Sequence, residues 1–495
     1  METLTDKLSN VLRSFEYFHS EVILALGILV LILIDLVARV KYAVPFFAAV
    51  LAAVVLYIDF HGWAPTGGSV LLFHGMVTYD PASQAWKIIL DLGTLLAIVV
   101  SMRSPAIREK AESYPLIFAI LLGGHVLAMA TNLLILYLSI EIISIASYAL
   151  TIFAFDKKAS EAAVKYLLFG AVASALMLYG MSWVYAFTGS LDFMTAEFAD
   201  ALLKADVIPL SIALVLVLVG FLFKIAAVPL HAWVPDVYTA APTSVVAFFS
   251  IVPKLAGFSV LTKWFLVVNL FGLGPIPWVQ VISAIAVLTL LIGNFAALRQ
   301  NHVKRLLAYS SIAHSGFLLV PVVSLSEQAT KNLYFYAVVY IFMNLGIFAI
   351  VQYLENREGI TKASEYKGLV KRYPLLTVLV VMLMISLVGL PPTAGFTAKL
   401  LIFSSLWDAY GQVQDPWLLY LFIFGLLNTV VSLFYYLKIP FFMIFRNREE
   451  FQPVDPQKHL AWENYFAFTM VLALVALFFK PEWLMNIMNN ISFAF

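Results

Sequence analysis

Residues 221–257 read FLFKIAAVPLHAWVPDVYTAAPTSVVAFFSIVPKLAG, and the fold turns on how this stretch is accommodated. Lys224 and Lys254 stand inside apolar runs, separated by Pro229, Pro235 and Pro242, with His231 and Asp236 between them. A lysine at membrane depth costs roughly 2.5 to 3.5 kcal/mol even on the mildest scale. Two so close together call for a chemical reason, and proton handling supplies one.

Composition places the stretch in a membrane. The chain has 495 residues, 62% hydrophobic and 12% charged, with a mean hydropathy of +0.94. That is far too little charge for a soluble domain of this length. The apolar runs are continuous and much longer than the alternating segments of about ten residues in outer-membrane barrels, which excludes a barrel. A formal net charge of +1 gives no basis for a nucleic-acid partner. With no cysteine, disulfides, iron–sulfur ligation and thiolate metal sites are excluded from this chain, so any redox centre has to sit in another subunit. The N-terminal residues mix acids with Lys7 and Arg13, unlike a signal peptide that is basic and then apolar, and are expected to be retained.

Taking apolar runs of about 17 to 25 residues as spans predicts an all-α polytopic membrane protein of about 14 transmembrane helices. They fall near 21–38, 42–58, 88–102, 114–130, 133–153, 163–187, 208–232, 241–262, 277–297, 305–323, 332–354, 375–402, 418–440 and 463–480. The seventh contains Pro229 and the twelfth Pro391 and Pro392. Both are expected to be broken, with the freed backbone groups met by protein or by water lining a cavity. Each also carries a lysine, Lys224 or Lys399, and paired interrupted helices point to an inverted repeat.

Charge orients the stack. Of 30 Lys and Arg, 20 lie in or beside odd-to-even connections, and seven (Lys7, Arg13, Lys87, Lys204, Lys263, Lys331 and Lys480) lie on the opposite face. The positive-inside rule then puts both termini outside. Lys224, Lys254 and Lys399 remain, each inside a span. Glu141, in the fifth run, has no charged neighbour in sequence for ten residues either way and is the acid expected to match them. Burial disfavours the charged form of either group and pairing restores it, so each can switch the other.

KIAAVPLHAWVPDVYTAAPTSVVAFFSIVPKLAG at 224–257, KRLLAYSSIAHSG at 304–316 and SLVGLPPTAGFTAKL at 386–400 resemble the antiporter-like membrane subunits of respiratory complex I and their cation/proton antiporter relatives. The resemblance covers nearly the whole chain. It implies a single integral membrane domain with two inverted-topology five-helix repeats. Helices 4–8 would occupy 113–263 and helices 9–13 277–445, with helices 1–3 in 1–112 and helix 14 in 460–495. It also implies that Glu141 and Lys224 form a coupled pair, that Lys254 connects, and that Lys399 exchanges protons with the second half-channel. His231 and His314 fall where the family places polar relay groups.

The role so implied is proton translocation in the membrane arm of an NADH:quinone oxidoreductase in a bacterial cytoplasmic membrane. The partners implied are other membrane-arm subunits, further antiporter-like ones among them. Flavin, iron–sulfur clusters and quinone are expected in or at those other subunits, with no cofactor in this chain. Three features resemble the N type of such subunits: lysine at 399, where the M type typically has glutamate; a chain that stops soon after the last run, without the L type's long lateral helix; and a Tyr- and Asn-rich eleventh run, without His or Lys inside it, followed by EYKGL.

Two alternatives share these motifs: a subunit of a multisubunit Na⁺/H⁺ antiporter, and the matching subunit of a ferredoxin-linked complex-I-like enzyme. Sodium favours oxygen ligands, and the core offers lysines with few carboxylates. A third alternative, haem held by His125, His231 or His314, lacks a convincing facing pair. Plainer roles compete at single residues. Lys399 lies near the end of its run, where a lysine can snorkel. Glu141 can serve as a neutral, hydrogen-bonded acid. His231 and His314 can satisfy broken backbone, and His125, beside Gly123 and Gly124, can serve close helix packing.

Overall fold

A computed structural model describes residues 4–37, 43–63, 68–270, 276–324, 326–447 and 462–491. Residues 42 and 460–461, and the basic residues Arg39, Lys41, Arg448 and Lys458 used in the orientation count, lie outside the described residues. Among those described, twelve helices are long and apolar enough to cross a membrane, and two shorter apolar helices, Ser113–Met129 and Pro374–Val388, stand at the fourth and twelfth runs. The all-α reading meets one small exception. Val70–Leu72 and Val77–Tyr79 form an antiparallel hairpin, with Val70 opposite Tyr79.

The chain divides into two compact units, with 227–251 grouping in the second and 252–277 in the first. In the first, Ser113–Met129 packs against His19–Val37, Pro81–Ser101, Leu133–Thr151 and Val252–Leu270, while Lys157–Thr188 lies along Val207–Lys224. In the second, Trp278–Leu298 packs on Val303–Val323 and Pro416–Tyr436, and Glu327–Glu358 packs on Ala394–Val413 and Trp462–Phe479. The span Val303–Val323 is 94% buried, against 28% for Pro416–Phe445. The first is therefore an internal helix, and its Ser and His side chains have protein rather than lipid as partners. Lys157–Thr188 and Glu327–Glu358 have 32 residues each, about 48 Å at 1.5 Å per residue, which exceeds the roughly 30 Å hydrocarbon layer.

Helix ends follow local chemistry. Asp156 caps Lys157–Thr188, its carboxylate accepting from the Ala159 N–H at 2.7 Å. Asp156→Ala is expected to cost about 1 kcal/mol, read as a lower midpoint when the micelle-embedded chain is titrated with denaturant.

Three sequence expectations need correcting. Lys87 and Lys263 were placed between spans, but they lie inside Pro81–Ser101 and Val252–Leu270 and are buried. The eighth run, expected to be continuous, is two helices, Thr243–Phe249 and Val252–Leu270. Pro253 stands in the first turn of the latter, where its ring opposes the carbonyl four residues earlier and the missing N–H costs nothing.

Candidate proton-translocation site

Lys224 is the last residue of Val207–Lys224 and is 3% exposed. The chain leaves the helix through Ala226, at φ +59°, and Pro229 before helix Val234–Ala240 begins. In the second unit the Val228 N–H, freed by the break, donates to Thr289 Oγ1 at 3.1 Å. The satisfaction that an interrupted membrane helix requires thus comes from protein.

The Lys224 ammonium donates to Ser144 Oγ at 2.8 Å. Ser144 is three residues beyond Glu141 on Leu133–Thr151, so the two share a helix face. Its own hydroxyl proton goes to the Ile140 carbonyl at 2.7 Å, leaving lone pairs for the ammonium. Glu141 is half-buried, and its Oε1 is buried without a hydrogen-bond partner. The atom in direct contact with the Lys224 ammonium is the serine hydroxyl.

Lys254 is 2% exposed on Val252–Leu270. One turn later, a Cβ at Gly257 would lie 3.1 Å from Lys224 Cγ. The helix carrying Lys254 therefore rests directly on the stem of Lys224.

In the second unit, Lys399 is 5% exposed on Ala394–Val413. Its ammonium reaches back across the break at Pro391 and Pro392 to the end of Pro374–Val388, donating to the Val388 carbonyl at 2.7 Å and the Leu387 carbonyl at 3.2 Å. It also sits 4.2 Å from the centre of the Phe317 ring. A cation at a helix C-terminus meets free carbonyls and the negative end of the dipole, so the break binds the charge. The snorkelling alternative fails here, because the ammonium turns inward. Lys399 also lines an apolar cavity of about 480 Å³ with Phe396, Phe403, Trp407 and Phe422.

His314 lies at the centre of a hydroxyl network. Its Nδ1 meets Tyr336 OH at 2.9 Å and its Nε2 meets Tyr436 OH at 3.1 Å. Tyr436 OH also bonds Ser310, and Tyr340 OH meets Ser311 Oγ at 3.1 Å. Tyr336 and Tyr340 belong to the eleventh run, whose tyrosines the sequence reading used only to choose among relatives. His231 is half-buried in the turn after the first break, and its Nδ1 has no hydrogen-bond partner.

Sequence reasoning missed a set of buried charges in the first unit. Lys87 Nζ lies 2.7 Å from Glu21 Oε1 and 3.0 Å from Asp59 Oδ1. His125, expected to serve helix packing, instead meets Glu21 Oε1 at 3.1 Å through Nδ1 and Asp91 Oδ1 at 2.9 Å through Nε2. Glu141 is thus not the sole acid within the spans. A detectable signal was the stripe Gln84, Lys87, Asp91 and Thr94, spaced to share one helix face. With both ring nitrogens of His125 on carboxylates and both of His314 on tyrosines, neither ring has a lone pair left for axial haem ligation. In the second unit Lys304, expected in a connection, is buried and reaches the Ala241 carbonyl at 3.1 Å and Glu355 at 3.4 Å.

Comparisons with known proteins agree with this architecture. Residues 130–427 match the family described as NADH:quinone oxidoreductase/Mrp antiporter, transmembrane. The chain is 36% identical to NADH-quinone oxidoreductase subunit N 2 of Sorangium cellulosum, over 96% of this chain and 97% of that protein. A chain of respiratory complex I from Thermus thermophilus superposes with a TM-score of 0.77 at 30% identity, covering 94% of this chain and 98% of that one. A chain of the Mrp complex from Dietzia sp. gives the same TM-score at 19% identity, covering 96% of each, which is a likeness of fold alone.

Proposed function

Because this chain belongs to the NADH:quinone oxidoreductase/Mrp antiporter transmembrane family, we propose that it is the N-type proton-translocating subunit in the membrane arm of an NADH:quinone oxidoreductase. It supplies a proton path, and flavin, iron–sulfur clusters and quinone reside in or at other subunits of the complex. The membrane is the bacterial cytoplasmic membrane, with both chain termini on its outer side. The two halves, 113–263 and 277–445, act as inverted repeats, each with a lysine beside its helix break.

The observation that carries this reading is the contact made by Lys224, a buried ammonium whose direct partner is the neutral Ser144 hydroxyl while Glu141 stands one turn earlier on the same helix. Burial penalises a charged amine and an approaching carboxylate favours it, so a small change in the Glu141–Lys224 separation changes whether the proton is held. Lys224 takes up the proton from the cytoplasmic side, Lys254 passes it on, and Lys399 releases it outside. His231 and the His314 hydroxyl network serve as polar stations.

The test is quinone-coupled acidification by the purified complex in lipid vesicles. The proposal expects full pumping with sodium removed, and co-purification with flavin and iron–sulfur subunits. Pumping that requires sodium would establish the antiporter alternative instead. A finer outcome concerns the hydroxyl network. Tyr436→Phe removes one partner of His314 and is expected to slow pumping about fivefold, the equivalent of about 1 kcal/mol for one hydrogen bond. Quinone reduction in uncoupled membranes should be unchanged.

A further inference from the structure

The buried charges of the first unit lie outside the proton path just described. Glu21, Asp59, Asp91, Lys87 and His125 come from four helices, His19–Val37, Ala43–Gly62, Pro81–Ser101 and Ser113–Met129, and none is more than 3% exposed. Three carboxylates face one lysine and one histidine. Lys87 is clamped between Glu21 and Asp59. Both His125 ring nitrogens face carboxylate oxygens at hydrogen-bond distance. A carboxylate oxygen only accepts, so both contacts are hydrogen bonds when the ring carries two N–H groups. With Lys87 and His125 both charged, one negative charge is left over.

A lone uncompensated charge away from water costs several kcal/mol, and a proton removes that cost. The geometry shows where the proton fits. Asp59 and Asp91 offer carboxylate oxygens within 4.8 Å of one another and of a His125 nitrogen. Asp59 Oδ2 and Asp91 Oδ2 are buried with no hydrogen-bond partner, and Asp59 Oδ2 points towards the ring, 3.9 Å from Nδ1. Two carboxylates this close in a buried site share a proton rather than both ionise.

We propose that the Asp59–Asp91 pair, with His125 beside it, is a proton-binding site that holds one exchangeable proton among the N-terminal helices, separately from Glu141 and Lys224. Release breaks one carboxyl O–H bond and leaves the cluster with one net negative charge. Uptake remakes the bond and restores neutrality. A metal cation is the poorer occupant, because the Lys87 ammonium already fills the space between Glu21 and Asp59 and both His125 nitrogens are engaged.

Elements packed against these helices bring other titratable groups. Tyr79, from the hairpin, donates to the Gly62 carbonyl at 2.8 Å. Glu141 comes from Leu133–Thr151 and Lys254 from Val252–Leu270. Lys263, on the same helix as Lys254, donates to the Ala128 carbonyl at 2.8 Å and lies 3.9 Å from Asp80. Val252–Leu270 approaches closely, since a Cβ at Gly124 would lie 3.5 Å from Ala256 Cβ. The helix bearing Lys254 therefore touches both the Lys224 stem and a helix of the cluster.

The test is infrared difference spectroscopy of the full chain in lipid nanodiscs, stepped in pH and repeated in D₂O. The expected result is a deuterium-sensitive carboxylic-acid C=O band at neutral pH that is lost in both Asp59→Asn and Asp91→Asn and kept in Glu141→Gln. Persistence in both Asn variants overturns the proposal, as does loss in Glu141→Gln, which would assign the band to Glu141. A band that sodium abolishes at fixed pH overturns it in favour of a cation. Should the Asn variants fail to fold, [4-¹³C]aspartate labelling of the unmodified chain is expected to shift the band, and a shift with [5-¹³C]glutamate instead refutes it. Because the band survives Glu141→Gln when the proposal holds, its failure is distinguishable from a failure of the proton path.

Discussion

Lys224→Ala is expected to lower quinone-coupled proton pumping by roughly 100-fold, the low end of what a positioned proton-transfer group contributes, while the complex assembles normally. The two halves of that outcome have different causes. Pumping falls because alanine removes the group that takes and yields the proton. Assembly survives because the partner left behind is not stranded: Ser144 Oγ still donates to the Ile140 carbonyl, and no contact carboxylate loses its counter-charge. Lys87 gives the contrast. It is held by Glu21 and Asp59 at 2.7 and 3.0 Å, so Lys87→Ala leaves the buried cluster with one uncompensated negative charge, at an expected cost of about 3 to 5 kcal/mol, and the subunit is expected to be lost from the membrane. Lys224→Arg separates proton exchange from charge alone. Arginine keeps the charge but does not give up its proton in proteins, so it too is expected to block pumping. Restoration of pumping by arginine, or pumping above half the normal rate with alanine, would rule out the role given to Lys224. The measurements are acidification of inverted vesicles, with subunit content determined on the same membranes.

What the sequence disclosed and what it hid share one cause. Lys224, Lys254 and Lys399 stand out because each interrupts a long apolar run. Hydropathy alone exposes them, just as it exposes the helices themselves. Lys87 and Asp59 stay hidden because runs are drawn by hydropathy, and charges near a run's edge push the boundary past themselves: the third run starts at 88 and the second stops at 58, while Glu21 stands at the very edge of the first. Burial of these residues is decided by partners on other helices, which no single run contains. Asp91 lies within its run, but a single run does not tell an acid that will be paired across helices from one that will not. The break at Ser250 and Ile251 was legible in Pro253, whereas Pro321 stays inside Val303–Val323 without dividing it. Proline thus marks a candidate break, and the packing around it decides. The tyrosine network needed the fold itself, because a tyrosine in an apolar helix reads as packing until a histidine from another helix is seen at its hydroxyl.

The second break offers the sharpest structural outcome, because Gly395→Ala is expected to prevent stable insertion of the subunit. A Cβ at 395 would lie 1.9 Å from the Ser386 carbonyl oxygen, 2.8 Å from its carbon and 2.9 Å from its hydroxyl. A flexible side chain swings away from such an encounter, but this obstacle is backbone in the last turn of Pro374–Val388. That carbonyl accepts from the Gly389 N–H at 3.0 Å, and the next two carbonyls hold Lys399. Pushing the two segments apart by an ångström or more therefore undoes the helix end and the lysine's anchorage together. Overpacking of this severity costs about 3 kcal/mol or more. Gly411 is the control on the same helix, Ala394–Val413: a Cβ there meets nothing within 4 Å, so Gly411→Ala should be neutral or favourable by up to about 1 kcal/mol. Immunoblots of membranes and thermal unfolding of the reconstituted chain report the difference. If Gly395→Ala accumulates and melts like Gly411→Ala, the two segments at the break are not in the close contact that places Lys399.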